Sequence, residues 1–239
     1  MAIISNTVVY LDGDVVLEAF FAFDDSFSGR RPAVLINHTW AGRDEFVAEK
    51  ARKLAAMGYL GFAVDMYGKG ILGSSPDENM KLMEPFMVDR AMLQQRMKAA
   101  LAAVRLMPWV DDSKIAAIGF CFGGLCSLDL ARTGADIKGV VSFHGLLVAA
   151  DNIQGNLIKA KVLALHGRDD PLGPNEQVLA FEQEMTEAGA DWQLHIYGNT
   201  MHAFTNPLAN FPESGKVYNP DADRRSWLAM QNFLAEIFA

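Results

Sequence analysis

The stretch Ile118-Gly119-Phe120-Cys121-Phe122-Gly123-Gly124-Leu125-Cys126, which comes directly after Lys114-Ile115-Ala116-Ala117, decides how the chain is read. Four or five apolar residues ending on a glycine predict a fully buried strand, and the residues after it, with Leu125, Leu128 and Leu130, predict a buried helix. Cys121 therefore falls at the turn from strand to helix. A residue at so sharp a turn carries a strained backbone, and the glycines two positions before and after it remove side chains that would collide there. The first turn of the helix presents unpaired N–H groups, which favour thiolate over thiol. The spacing is that of the G-x-S-x-G nucleophile elbow with sulfur in place of the serine oxygen. Ordinary packing competes with that reading, because cysteine is among the most buried residue types. A dinucleotide-binding turn fits less well, since the glycines fall as G-x-x-x-G-G and not as G-x-G-x-x-G.

On either side of this stretch, strands and helices alternate. Residues 7–11 and 15–23 flank Asp12-Gly13-Asp14 and predict an antiparallel hairpin. Ala33 to Asn37 predicts a buried strand ending at His38, and Asp44 opens a helix with Val47, Ala51, Leu54 and Ala55 on one face. Tyr59 to Val64 predicts the next strand. Residues 77–107 predict a helix whose apolar stripe is Leu93, Met97, Leu101 and Val104, stopping before Pro108. After the elbow come short apolar runs at Lys138–Phe143 and Lys161–His166 with an irregular stretch between them. A helix over 175–189 and a strand over 192–197 come next. Asn219-Pro220 starts a last helix, with Trp227, Met230, Leu234 and Ile237 facing inward. The alternation predicts one α/β domain over residues 1–239, a mainly parallel sheet with an N-terminal antiparallel hairpin and helices on both faces.

In such a sheet reactive groups collect beyond the carboxyl ends of the strands. The strand Lys161–His166 ends in Gly167-Arg168-Asp169-Asp170-Pro171, and the last strand leads into Gly198-Asn199-Thr200-Met201-His202-Ala203-Phe204. The order nucleophile, acid, histidine is that of α/β-hydrolases. A thiol of ordinary pKa is only slightly ionised at neutral pH, so an imidazole that takes its proton creates both a nucleophile and an acid for the leaving group. His202 is assigned that role. A carboxylate on the ring's other nitrogen fixes the tautomer; Asp170 is preferred because a rigid proline turn comes after it, with Asp169 as the alternative. Backbone donors for an oxyanion are expected from Phe122 and from Thr39 in the loop after the third strand. The competing reading for His38, His144 and His166 is a strand-end residue satisfied by backbone, and for His202 a solvated loop residue. His195 alternates with its neighbours on an edge-like strand and reads as structural. No H-x-x-x-H or clustered Cys/His spacing suggests a metal site.

Composition narrows the partners. The chain has 239 residues, 51% hydrophobic and 21% charged, long enough to bury a large core. Its net charge of −8 argues against phosphate backbones and anionic membranes. The opening Met1-Ala2-Ile3-Ile4-Ser5-Asn6 lacks the basic start and apolar core of a signal peptide, and no apolar run approaches membrane-spanning length, so a cytoplasmic protein is expected. Cys121 and Cys126 are the only cysteines, and their spacing around a helix start does not suit a disulfide.

Together, Gly-Phe-Cys-Phe-Gly-Gly at 119–124, Gly-x-x-Asp-x-x-x-Pro at 167–174 and His202-Ala203-Phe204 make the chain resemble the dienelactone hydrolase family, cysteine members of the α/β-hydrolase fold. The resemblance covers nearly the whole chain. It implies a triad of Cys121, Asp170 and His202, hydrolysis through a thioester acyl-enzyme, and no cofactor. Where dienelactone hydrolases proper place a glutamate after the third strand this chain has His38, from which a cationic neighbour favouring thiolate is expected. Where they place an arginine four residues after the histidine it has Asn206, and Arg90 is the candidate for approaching a substrate carboxylate. The substrate is therefore expected to be a small ester, lactone or thioester with an apolar portion, met by a monomer or homodimer. Trp40, Tyr67, Phe122, His144 and Phe204 are candidate pocket walls, with His38 also facing substrate. Two other readings on the same fold are a non-catalytic ligand-binding protein and a thiol redox sensor.

Overall fold

The computed structural model describes residues 2–153 and 155–239; Met1, at the head of the opening hexapeptide, and Gln154, within the irregular stretch, lie outside the described residues. The chain falls into two compact units that divide between Ile118 and Gly119.

In the first unit, β1 (Ile3–Asp12) and β2 (Val15–Asp24) pair antiparallel from Ile3↔Asp24 to Asp12↔Val15, and Gly13 turns the chain at φ 56°. The hairpin extends beyond the predicted 7–11 at its open end. Residues 3–7 of β1 are exposed, so no alternation of burial advertises them, and backbone pairing alone makes them a strand. Next come β3 (Arg31–Asn37), α1 (Glu45–Ala56) and β4 (Leu60–Ala63); β3 and β4 are parallel, while β2 meets β4 antiparallel. The predicted helix over 77–107 is two helices, α2 (Pro76–Val88) and α3 (Arg90–Arg105). The break is Asp89, at φ −108° and ψ 89°, whose Oδ1 accepts the Met92 N–H at 3.0 Å. Its own N–H donates to the Pro85 carbonyl at 2.9 Å. An aspartate inside a helical pattern can bond nearby backbone in a non-helical conformation, and here it does so as a cap. The expected stripe of Leu93, Met97, Leu101 and Val104 is buried.

β5 (Val110–Phe120) runs across the division, and its residues Ile115–Phe120 are all buried. The second unit continues with α4 (Phe122–Arg132), β6 (Gly139–Phe143), β7 (Lys161–Gly167), α5 (Asn175–Glu187) and β8 (Trp192–Tyr197). Two-residue strands β9 (Asn210–Phe211) and β10 (Lys216–Val217) form a small separate hairpin, too short to leave a periodic trace in the sequence. The last element is α6 (Pro220–Ile237), where the Asn219 side chain accepts the Ala222 N–H at 3.1 Å and Pro220 takes the first helical position. Met230, Leu234 and Ile237 are buried as expected, and Trp227 is half-buried. β6 and β7, and β7 and β8, are parallel. The eight strands run β1-β2-β4-β3-β5-β6-β7-β8, an α/β fold with a mostly parallel sheet. His195, on the edge strand β8, is exposed.

Candidate active site

The turn between β5 and α4 has the strain anticipated for it. Cys121 sits at φ 57° and ψ −120°, a left-handed conformation that a side-chain-bearing residue adopts only when its surroundings impose it. Its N–H donates to the Phe143 carbonyl at 3.0 Å, and its carbonyl accepts the Gly124 N–H at 2.9 Å. A Cβ on Gly119 would collide with the Gly123 carbonyl, so position 119 admits no side chain. Cys121 is half-buried, whereas Cys126 is fully buried in α4.

The acid comes from the turn after β7. Asp170 is buried and uses its two oxygens separately: Oδ1 accepts the Leu172 N–H at 2.8 Å, and Oδ2 meets Nδ1 of His202 at 2.8 Å. Asp169 is exposed, and its N–H donates to the Thr200 carbonyl at 2.9 Å. His166 fastens the same turn from below, its Nε2 lying 2.8 Å from the Gly173 carbonyl. Since a carbonyl only accepts, Nε2 carries the proton, and burial lowers the ring's pKa and so favours its neutral form.

His202 is held by backbone on both sides, its N–H donating to the Gly215 carbonyl at 2.9 Å and its carbonyl accepting the Val217 N–H at 3.0 Å. The hairpin that carries Gly215 and Val217 had no signal in the sequence. Nε2 of His202, the nitrogen turned away from Asp170, is buried and lacks a well-formed hydrogen bond. Catalytic contacts are often loose before substrate arrives. Burial opposes charge on the His202 ring, but the Cys121 sulfur and the Asp170 carboxylate outweigh it and hold the imidazolium well above the ordinary histidine range. Burial likewise opposes the thiolate of Cys121. The nearby imidazolium of His202 and the Phe122 N–H outweigh that in turn, and the thiol is pulled below its usual pKa. Each partner thus favours the charged form of the other.

The residues expected to touch substrate divide differently. His38 is buried, with Nδ1 2.5 Å from the Thr39 carbonyl and Nε2 accepting the Met66 N–H at 3.2 Å. With one nitrogen donating and the other accepting, the ring is neutral, and burial pushes its pKa down to about 4. The expected cationic role is therefore corrected: His38 has no charge to offer a thiolate, and both nitrogens are spent on backbone. The Thr39 carbonyl also accepts the Gly42 N–H at 3.3 Å. In the same unit the Tyr67 hydroxyl donates to the Trp40 carbonyl at 3.0 Å, and the Tyr67 ring lies edge-on to His38 at 4.8 Å. Arg90 opens α3 and is half-buried. Phe122 and Phe204 are 0% exposed and His144 is 1% exposed, as buried as the His202 side chain itself. Among the described residues, no group of three or more His, Cys, Asp or Glu is placed to hold a metal ion, and no helix is long and apolar enough to cross a membrane.

Known proteins share this arrangement of chain. The family model described as the dienelactone hydrolase family matches residues 17–238. A dienelactone hydrolase-like promiscuous phosphotriesterase from metagenomic libraries superposes with a TM-score of 0.95 at 38% identity, covering 100% of both chains. An uncharacterised protein of Caenorhabditis elegans is 41% identical over 150 residues, 62% of this chain and 95% of its own. A Yersinia pestis protein provisionally named carboxymethylenebutenolidase is 27% identical over 242 residues, 97% of this chain and 87% of its own.

Proposed function

The chain belongs to the dienelactone hydrolase family, and on that premise we propose that it cleaves a small ester, lactone or thioester by way of Cys121, His202 and Asp170. The Cys121 thiolate attacks the carbonyl carbon, and the carbonyl oxygen becomes an oxyanion that the Phe122 N–H receives. Collapse of that intermediate breaks the bond to the leaving alkoxide or thiolate, which takes the proton of the His202 imidazolium, and a thioester acyl-enzyme remains. His202, now neutral, removes a proton from water; the hydroxide attacks the thioester, and the departing sulfur re-forms the resting pair with the imidazolium. Asp170, bonded to Nδ1, keeps Nε2 toward the reacting atoms.

The 2.8 Å contact between His202 Nδ1 and Asp170 Oδ2, both side chains 1% exposed, carries this reading. A buried, carboxylate-oriented imidazole that raises the ionisation of a thiol at an elbow is the equipment of acyl transfer, and neither a passive ligand-binding pocket nor a simple redox thiol needs it. The test is a short p-nitrophenyl ester with wild type and Cys121→Ala. The wild type should show a burst of p-nitrophenol and a mass increase of one acyl group on the peptide containing residue 121. Turnover that survives Cys121→Ala removes the proposal. Because a relative at 38% identity carries the name phosphotriesterase, a dialkyl p-nitrophenyl phosphate belongs beside the ester: turnover of the phosphate alone would move the substrate class from carbon to phosphorus while leaving the nucleophile in place.

A further inference from the structure

We infer that His144 is a positioning residue for the general base, setting the orientation of the His202 ring through a hydrogen bond to Thr205. The inference rests on the reading of Cys121, Asp170 and His202 as a triad. His144 comes directly after β6 at φ 38°, a second residue with a side chain forced into left-handed backbone beside the elbow. Its N–H donates to the Leu165 carbonyl at 2.8 Å, and the residue before it, Phe143, accepts the Cys121 N–H, so the backbone at 143–144 is tied both to β7 and to the elbow. The ring then reaches toward the histidine loop. Its Nε2 lies 2.7 Å from Thr205 Oγ1, three residues beyond His202, in a contact buried from solvent. The same ring meets His202 edge-on at 5.0 Å and 69°, and Phe204 edge-on at 5.0 Å and 79°.

His144 thus touches the loop that carries the base while standing on the strand end that anchors the nucleophile. That loop needs an anchor for its side chains, because Asn199 and Ala203 also hold positive φ values of 52° and 58°, and the bridge from His202 to Lys216 of β10 fixes the backbone there but not the ring. Asp170 fixes one nitrogen of His202 but leaves the ring free to tilt about that contact; the His144–Thr205 bond, which ties the chain three residues beyond His202 to the end of β6, removes the tilt. A displacement of about an ångström at a reacting nitrogen costs on the order of a hundredfold in rate. The strained backbone of residue 144 and its buried polar ring are both accounted for by this role. A plain core position would be better served by phenylalanine, which needs no hydrogen-bond partner.

The pH dependence of Cys121 alkylation by iodoacetamide reads the alignment directly. The titratable groups brought to the Cys121–His202 pair within this unit are Asp170 and His166 from the end of β7 and His144 from the end of β6. In the wild type the thiolate limb should extend below the ordinary thiol range. In His144→Phe, which keeps the ring and loses the Thr205 bond, the inflection should rise by about one pH unit. Ester kcat should fall about tenfold or more with KM little changed. Thr205→Val should reproduce both effects, and His144→Gln, whose amide nitrogen reaches the position of Nε2, should restore the wild-type profile. If His144→Phe does not fold, Thr205→Val decides. Folded variants that keep the wild-type inflection overturn the inference and leave the triad standing; an ordinary thiol inflection in the wild type overturns the thiolate–imidazolium pair and this inference with it.

Discussion

Asp170 divides its work between two oxygens, one satisfying the Leu172 N–H of its own turn and the other facing His202. Asparagine in its place can keep an oxygen on Leu172, but it presents a neutral amide to Nδ1 and gives up the charge that steadies the imidazolium. Asp170→Asn should therefore lower kcat by about a thousandfold or more with little loss of stability. Asp169→Asn, at an exposed side chain, should stay within about twofold. Equal losses at the two positions, measured on one ester alongside thermal melts, would refute the assignment. The choice between these neighbours could be argued from the proline next to Asp170, but which carboxylate turns inward depends on how the turn is pinned. Here His166 at the Gly173 carbonyl and Thr200 at the Asp169 N–H do the pinning.

At the scale of elements, the β5–α4 junction is the least forgiving part of the chain. A methyl group at residue 119 has no room beside the Gly123 carbonyl, and the strained φ of Cys121 leaves the turn no neighbouring conformation to relax into. Gly119→Ala should cost about 3 kcal/mol or more, or prevent folding, by denaturant unfolding. The α2–α3 junction is milder. Asp89→Ala removes one cap and should cost about 1 kcal/mol with no effect on ester turnover; a larger loss would mean that Asp89 holds more than the Met92 N–H. Both junctions are written in residue types, yet only the first was readable. Gly-x-Cys-x-Gly allows one geometry, whereas an aspartate inside an amphipathic pattern is compatible with one long helix or two short ones until packing chooses.

For the molecule as a whole, His38 links acid stability to a buried neutral ring. Its pKa is about 4 in the fold and about 6.5 in an unfolded chain. Above 6.5 both states are neutral and the full stability is present. As pH falls from there toward 4 only the unfolded state takes up the proton, so stability declines; below 4 the loss is complete, at about 3 kcal/mol. In His38→Gln that component is absent. The stability difference between wild type and variant, measured by denaturant unfolding at several pH values, should therefore shrink as the pH falls from 6.5 to 4.5. A constant difference would mean that His38 is not held neutral.

The sequence by itself determined the alternation of strands and helices, the elbow, and the order Cys121, Asp170, His202, because each is local: apolar periodicity, glycine at a forbidden Cβ, and reactive side chains at strand ends. Only the tertiary structure decided what the other histidines do. An imidazole next to a thiol site reads as a charge when only the string of residues is known, but its tautomer is set by partners far away along the chain. His38 takes an N–H from Met66 and loses its charge, while His144 reaches Thr205 and His202 across the sheet end. Protonation and orientation are properties of an environment assembled from several strands, and no stretch of one strand contains them.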